Sequence, residues 1–289
     1  QAGFPEGAFQ TLLISSGKVE KIIRDERIKG VTLTGSGPAG QAVAKAAGEE
    51  IKPSLLELGG SDPFLVMPSA DLDAAREAAV TGRTLNNGQS CIAAKRFIVH
   101  DQVYDAFKAK LAERFSALKV GDPMAEDTDI GPLVSGDALD EILGQVEASL
   151  AKGAKRVCGA ERVNVDGFPK GHWFRPGILD QIPEEAPAYR EEIFGPVALL
   201  FRVPNFEAAI ELANDTPFGL GSAIFTQDPG EVDHAVRRLE AGATAVNRIV
   251  ASDPRLPFGG VKTSGYGREL AKEGMMAFAN RKTVTVKGL

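Results

Sequence analysis

A cysteine and a glutamate hold the chemistry most readily read from this chain. Cys91 lies in Gly88-Gln89-Ser90-Cys91, and Glu57 lies 34 positions earlier (91 − 57 = 34) in Leu56-Glu57-Leu58-Gly59-Gly60. A thiolate can add to a carbonyl and form a covalent intermediate, and a carboxylate can take a proton from the water that later breaks it. An ordinary thiol, with a pKa of ~8.5, is only a few per cent ionised at neutral pH. The site is therefore expected to lower it through amide dipoles or other positive potential. A base would need Glu57 partly desolvated, toward a pKa of ~6–7. Taken singly, Cys91 reads more readily as a small buried hydrophobe and Glu57 as a solvated strand-end carboxylate. Cys158, with no comparable setting, keeps the bland reading.

The surrounding pattern is one of strands alternating with helices. Residues 11–14 read as a short strand, 16–28 as a helix-compatible run, 30–34 as a β-branched strand and 54–58 as another. After Gly59-Gly60 the alternation restarts. Residues 61–66 are extended, and Asp71 caps a helix running toward Leu85, because its carboxylate can accept from orphan amides of the first turn. Asn86-Asn87-Gly88 is a turn signal leading directly to Cys91. Strands follow at 96–99, 197–201, 222–226 and 244–246, and helices at 103–118, 139–152, 206–213 and 231–240; residues 159–175 read as a surface loop. This order predicts an α/β fold with a mostly parallel sheet covered by helices.

Gly35, Gly37 and Gly40 satisfy G-x-G-x-x-G between a strand and a helix starting near residue 41. The pattern alone leaves two readings open. It is either a tight turn or a place where backbone amides and a helix N-terminus approach a diphosphate. Read that way, Glu57 at the next strand end would go to an adenosine ribose.

Composition narrows the function classes. The chain has 289 residues, 43% hydrophobic and 25% charged, with a formal net charge of −6. Phosphate binding along a nucleic acid needs clustered Lys and Arg, and the basic runs here are short, so no nucleic-acid partner is expected. No stretch approaches the ~20 apolar residues that span a bilayer, and the first residues lack a basic and an apolar signal region. Two cysteines are too few for a disulfide scaffold. No membrane partner and a reduced, cytoplasmic setting are the expectations.

Four segments together resemble the aldehyde dehydrogenase superfamily: those around Glu57 and Cys91, Glu191-Glu192-Ile193-Phe194-Gly195-Pro196-Val197, and Pro257-Phe258-Gly259-Gly260-Val261-Lys262-Thr263-Ser264-Gly265. The resemblance implies a partial Rossmann-type NAD(P)-binding domain over 1–59, an α/β catalytic domain over 60–260, and a segment 261–289 with an oligomerisation strand. It implies that the first part of the nucleotide-binding domain lies before residue 1. With it would lie the asparagine that helps stabilise the oxyanion and the lysine that binds the adenosine ribose.

In the family the glutamate of Glu-Leu-Gly-Gly belongs to the catalytic centre, which reassigns Glu57 from the ribose to the base. Cofactor contacts carry over to Gly35, Ser36, Gly40 and Leu58; Glu192 would bind the nicotinamide ribose, and Phe194 would pack beside the ring. The cofactor is NAD or NADP, and no metal ligand is assigned. Phe258 resembles the aromatic that borders the aldehyde tunnel.

The string 251–256 looks most like the bacterial succinate-semialdehyde dehydrogenase branch. Arg255 becomes the candidate anchor for the small-molecule aldehyde's distal carboxylate. Against that, the arginine many members carry six positions before the nucleophile is Leu85 here. Thr283-Val284-Thr285-Val286 matches the family's C-terminal strand, implying a homodimer or homotetramer for the complete enzyme. Two other functions stay open: a thiol hydrolase or acyltransferase using His100, His172 or His234 as base, and a non-catalytic product.

Overall fold

The computed structural model describes residues 3–288. Helix α1 (Val19–Arg24) leads into β1 (Val31–Thr34), α2 (Gly37–Glu49) and β2 (Ser54–Glu57). β1 and β2 run parallel, with Thr34 opposite Glu57, so the glutamate closes its strand at the sheet's carboxyl edge.

Past Gly59-Gly60 the chain starts a second sheet with β3 (Pro63–Val66), followed by α3 (Leu72–Thr84), β4 (Arg96–His100), α4 (Asp101–Ser116) and α5 (Gly136–Ala151). Next come β5 (Lys155–Cys158), the short pair β6 (Glu161–Arg162) and β7 (Phe174–Arg175), and β8 (Gly177–Asp180) with α6 (Pro187–Arg190). The sheet is completed by β9 (Val197–Val203), α7 (Phe206–Asn214), β10 (Gly221–Phe225), α8 (Pro229–Arg238) and β11 (Ala243–Val246). Its order is β11-β10-β3-β4-β9-β8-β5, parallel throughout except for β5 against β8.

Alternation along the central strands feeds two cores, one on each face. Phe64, Val66, Phe97 and Val99 pack with Ala75 and Ala79 of α3 and with Phe107, Leu111 and Phe115 of α4. Leu65, Ile98, Leu199 and Ile224 point the other way, onto Ile142 and Val146 of α5 and Ala209 and Ile210 of α7. Covering both faces explains why these strands read as unbroken apolar runs. It also makes the carboxyl edges of the strands the accessible place for chemistry.

Several expectations meet a different structure. Residues 11–14 form no strand and are exposed, and the helical run is confined to a 3₁₀ turn, Ser16–Lys18, and α1. Residues 159–175, expected as loop, contain the β6–β7 ladder. Within 261–289, β12 (Gly265–Tyr266) pairs antiparallel with β2, Gly265 opposite Glu57, before α9 (Ala271–Ala277). Residues 281–288 form no strand, and Val284 and Val286 are exposed. Among the described residues no helix is long and apolar enough to cross a membrane.

Candidate active site

A cleft of about 800 Å³ opens at the carboxyl ends of β1 and β2. That is the edge at which open α/β sheets bind ligands. One wall is made by Gly35, Ser36, Glu57 and Leu58, and another by Cys91, Glu192 and Phe194. Those seven sequence-predicted site residues therefore meet in one space. Gly40, Arg255 and Phe258 do not line it.

The nucleophile turn is built by local sequence. Asp71 accepts from the amides of Asp73 and Ala74, both at 3.0 Å, and so starts α3. After α3 the chain reverses through left-handed Asn86, Asn87 and Gly88, with φ of 55°, 56° and 72°. Asparagine and glycine tolerate that region best. Gly88 also has no room for a side chain, since a Cβ there would lie 2.6 Å from the Gly195 carbonyl carbon. The Asn87 amide group donates to the Pro132 carbonyl and its oxygen accepts from the Gly131 amide, pinning the turn from outside.

From inside, buried Arg83 donates to the carbonyls of Gly88 and Ala94. Buried Lys95 donates to those of Ser90, Cys91 and Ala93. Neither cation was assigned from the sequence. The signal that could have found Lys95 is its place between Ala93-Ala94 and the apolar strand β4, where an ammonium has to be buried and needs partners.

Cys91 is half-buried and free. Burial pushes its thiol up, with the Asp62 and Glu192 charges adding to that; Lys95 and the Ile92 amide oppose it. The expected lowering of the thiol is thus not the net result, because desolvation outweighs the positive potential that is present.

Glu57 is 2% exposed, and neither carboxylate oxygen has a hydrogen-bond partner. Its pKa is pushed up to about 7, first by burial and then by the neighbouring Glu269 charge, against Arg268. Space for the carboxylate is kept by Gly259, where a Cβ would lie 2.6 Å from Glu57 Oε1.

The opposite end of the cleft suits an anionic, hydroxyl-rich ligand. Ser36 precedes the N-terminus of α2, whose free amides favour negative charge. Gly40 serves packing, since a Cβ there would sit 2.5 Å from a Leu58 methyl, so glycine lets α2 close onto β2. Glu192 Oε1 accepts from the Gly60 amide at 3.1 Å and lies 3.2 Å from Lys95 Nζ. Gly59 leaves room for its other oxygen. Phe194 is 42% exposed at the cleft wall. These are donors, an acceptor and an apolar surface of the kind a dinucleotide needs.

Arg255 is exposed, and its guanidinium is held by Asp253. Phe258 is buried and paired with Glu269 through the backbone. No histidine lines the cleft. His100 caps α4 by accepting from the Gln102 amide, and His234 sits beside Glu207. The His172 ring borders Gly136.

Comparison with known proteins gives this arrangement a context. The model of the aldehyde dehydrogenase family matches residues 1–284. The succinate-semialdehyde dehydrogenase [NADP(+)] 1 of Mycobacterium tuberculosis strain H37Rv is 53% identical over 286 residues, which is 99% of this chain and 62% of that relative. Among solved structures, Gox0499 superposes with a TM-score of 0.94 at 44% identity, over 99% of this chain and 62% of that one. The succinic semialdehyde dehydrogenase of Streptococcus pyogenes, in complex with NADP+, superposes with a TM-score of 0.92 at 39% identity, over 96% and 60%. The chain thus spans about 62% of the length of the curated relatives it matches. With a cysteine and a buried glutamate facing one cleft, and a family match along nearly its whole length, the chain belongs to the aldehyde dehydrogenase family.

Proposed function

We propose that the protein oxidises an aldehyde to a carboxylic acid, with Cys91 as nucleophile and Glu57 as the base for hydrolysis. The observation that carries this reading is the placement of both side chains on one cleft, with the glutamate's pKa at about 7. A base that titrates there is ionised often enough to act and basic enough to take a proton from water.

Cys91 as thiolate adds to the aldehyde carbon and gives a tetrahedral thiohemiacetal. Oxidised nicotinamide, when bound, supplies the hydride acceptor. Loss of hydride from the carbon leaves a thioester on Cys91. Glu57 then takes a proton from water as the water attacks the thioester carbonyl, and the acid departs as the Cys91 sulfur is released. Around these steps Ser36, the α2 N-terminus and Glu192 would hold the cofactor, Gly35, Gly40 and Leu58 would shape its seat, and Phe194 would lie beside the ring.

NADP is the favoured cofactor and succinate semialdehyde the favoured substrate, because the similar relatives are named for that pair. Arg255 is retained as the anchor for the distal carboxylate. It lies four positions before Gly259, the glycine that makes room for Glu57. Substrate would have to replace Asp253 on its fork. Phe258 would border the aldehyde path. A thiol hydrolase is disfavoured because no histidine lines the cleft. The assembly is read as a homodimer or homotetramer, and the setting as cytoplasmic.

The test is an aldehyde panel run on the complete enzyme with NAD+ and NADP+, followed by nicotinamide absorbance beside thioester and amide substrates. Turnover of aldehydes with NADP+, fastest on succinate semialdehyde and absent in Cys91→Ala, is expected. Thioester or amide hydrolysis without aldehyde oxidation would overturn the reading.

A further inference from the structure

Four charged side chains converge beneath the turn that carries Cys91: Arg83, Lys95, Asp62 and Glu192. The first three are fully buried or nearly so, and the Glu192 side chain is 18% exposed. A buried ammonium is costly unless its protons and charge are matched. Lys95 is matched on every side. It donates to Cys91 O at 2.9 Å, Ser90 O at 3.0 Å and Ala93 O at 3.2 Å, with Glu192 Oε1 at 3.2 Å.

An ammonium has three N–H groups, and here four acceptors surround it. The three carbonyls use its full donor capacity, so Glu192 is held by charge. Nothing of comparable strength gathers these carbonyls: Arg83 reaches only those of Gly88 and Ala94, at either end of the loop.

We propose that Lys95 is a positioning residue for the nucleophile: it draws the carbonyls of Ser90, Cys91 and Ala93 onto one point, fixing the turn, and sets a positive charge beneath the thiol. The inference rests on the reading of Cys91 as nucleophile. The charges that face Lys95 are Glu192, Arg83 and Asp62. The same Lys95 favours the Cys91 thiolate, while Asp62 and Glu192 disfavour it. Asp62, whose Oδ1 accepts from the Gly221 amide and whose Oδ2 has no partner, is itself pushed up to about 6 by burial, against the Lys95 charge. The thiol is poised between one cation that favours its ionisation and two anions that oppose it.

The test is the pH dependence of Cys91 alkylation by iodoacetamide in the purified protein without cofactor, read by mass spectrometry on the Cys91 peptide so that Cys158 is counted separately. Lys95→Met should raise the midpoint by about one pH unit, which slows alkylation about tenfold at neutral pH. Glu192→Gln should move the midpoint down, because it removes an anion that opposes the thiolate. A merely structural role for Lys95 does not predict the upward displacement in Lys95→Met. An unchanged midpoint in Lys95→Met, with wild-type circular dichroism and melting temperature, overturns the proposal. If that variant does not fold, Lys95→Gln is read in the same way, and an unchanged midpoint in it overturns the proposal. The nucleophile reading fails separately, if Cys91→Ala retains aldehyde-dependent reduction of NADP+.

Discussion

Replacing Glu57 with Gln should make the protein more tolerant of alkaline pH while stopping its hydrolytic step. Glu57 titrates at about 7 in the folded chain, against an ordinary value of 4.5. A carboxyl group raised in this way favours the folded state while protonated. Its contribution is complete below the unfolded value and is lost as pH rises through the folded one. Each pKa unit is worth ~1.4 kcal/mol. Ionised Glu57 then costs about 3 kcal/mol at pH 8 but under about 1 kcal/mol at pH 5.

Glutamine keeps the shape and carries no charge, so the stability difference between variant and wild type should grow by about 2 kcal/mol from pH 5 to pH 8. Urea unfolding at the two pH values, followed by circular dichroism, measures this. Comparing the change with pH, rather than the absolute values, removes the cost of burying the new amide. Parallel pH dependence of the two proteins would refute the assignment of a desolvated, titrating Glu57.

Gly88→Ala should lower the melting temperature and destabilise by about 2 kcal/mol, since a left-handed φ of 72° is combined with a Cβ 2.6 Å from rigid backbone; an unchanged transition in differential scanning calorimetry would contradict the packing of the turn. Arg255→Ala should raise KM for succinate semialdehyde about tenfold and leave KM for an uncharged aldehyde unchanged, and equal effects on both would remove Arg255 from the site. Light scattering on the complete enzyme should report a dimer or tetramer, because the exposed β-branched run around Val284 and Val286 needs a partner strand; a fully active monomer would end that reading.

Much of the site was legible because its parts are local. The Asp71 cap, the Asn86-Asn87-Gly88 reversal and the β-branched strand before Gly35 each depend on a few neighbouring residues whose preferred conformations agree. What could not be read depends on distant partners. β12 is only two residues long and gains its identity by pairing with β2 across some two hundred positions of chain. The runs at 11–14 and 283–286 have strand-like composition but no pairing among the described residues, and strand propensity expresses packing more than backbone preference. Lys95 and Arg83 were not assigned from the sequence. Their function follows from burial beneath a turn, which no spacing rule states. The thiol went the other way from expectation for the same reason: how deeply Cys91 is buried is a property of the assembled cleft.

The central claim is that Cys91 carries the acyl group and Glu57 releases it. The most direct test mixes the Glu57→Gln variant of the complete enzyme with succinate semialdehyde and NADP+ in a stopped-flow instrument, quenches with acid and measures the mass of the Cys91 peptide. A single burst of NADPH close to one per site, no sustained turnover, and a succinyl thioester on Cys91 are expected. A missing burst, or a full burst with Cys91 unmodified, would contradict it.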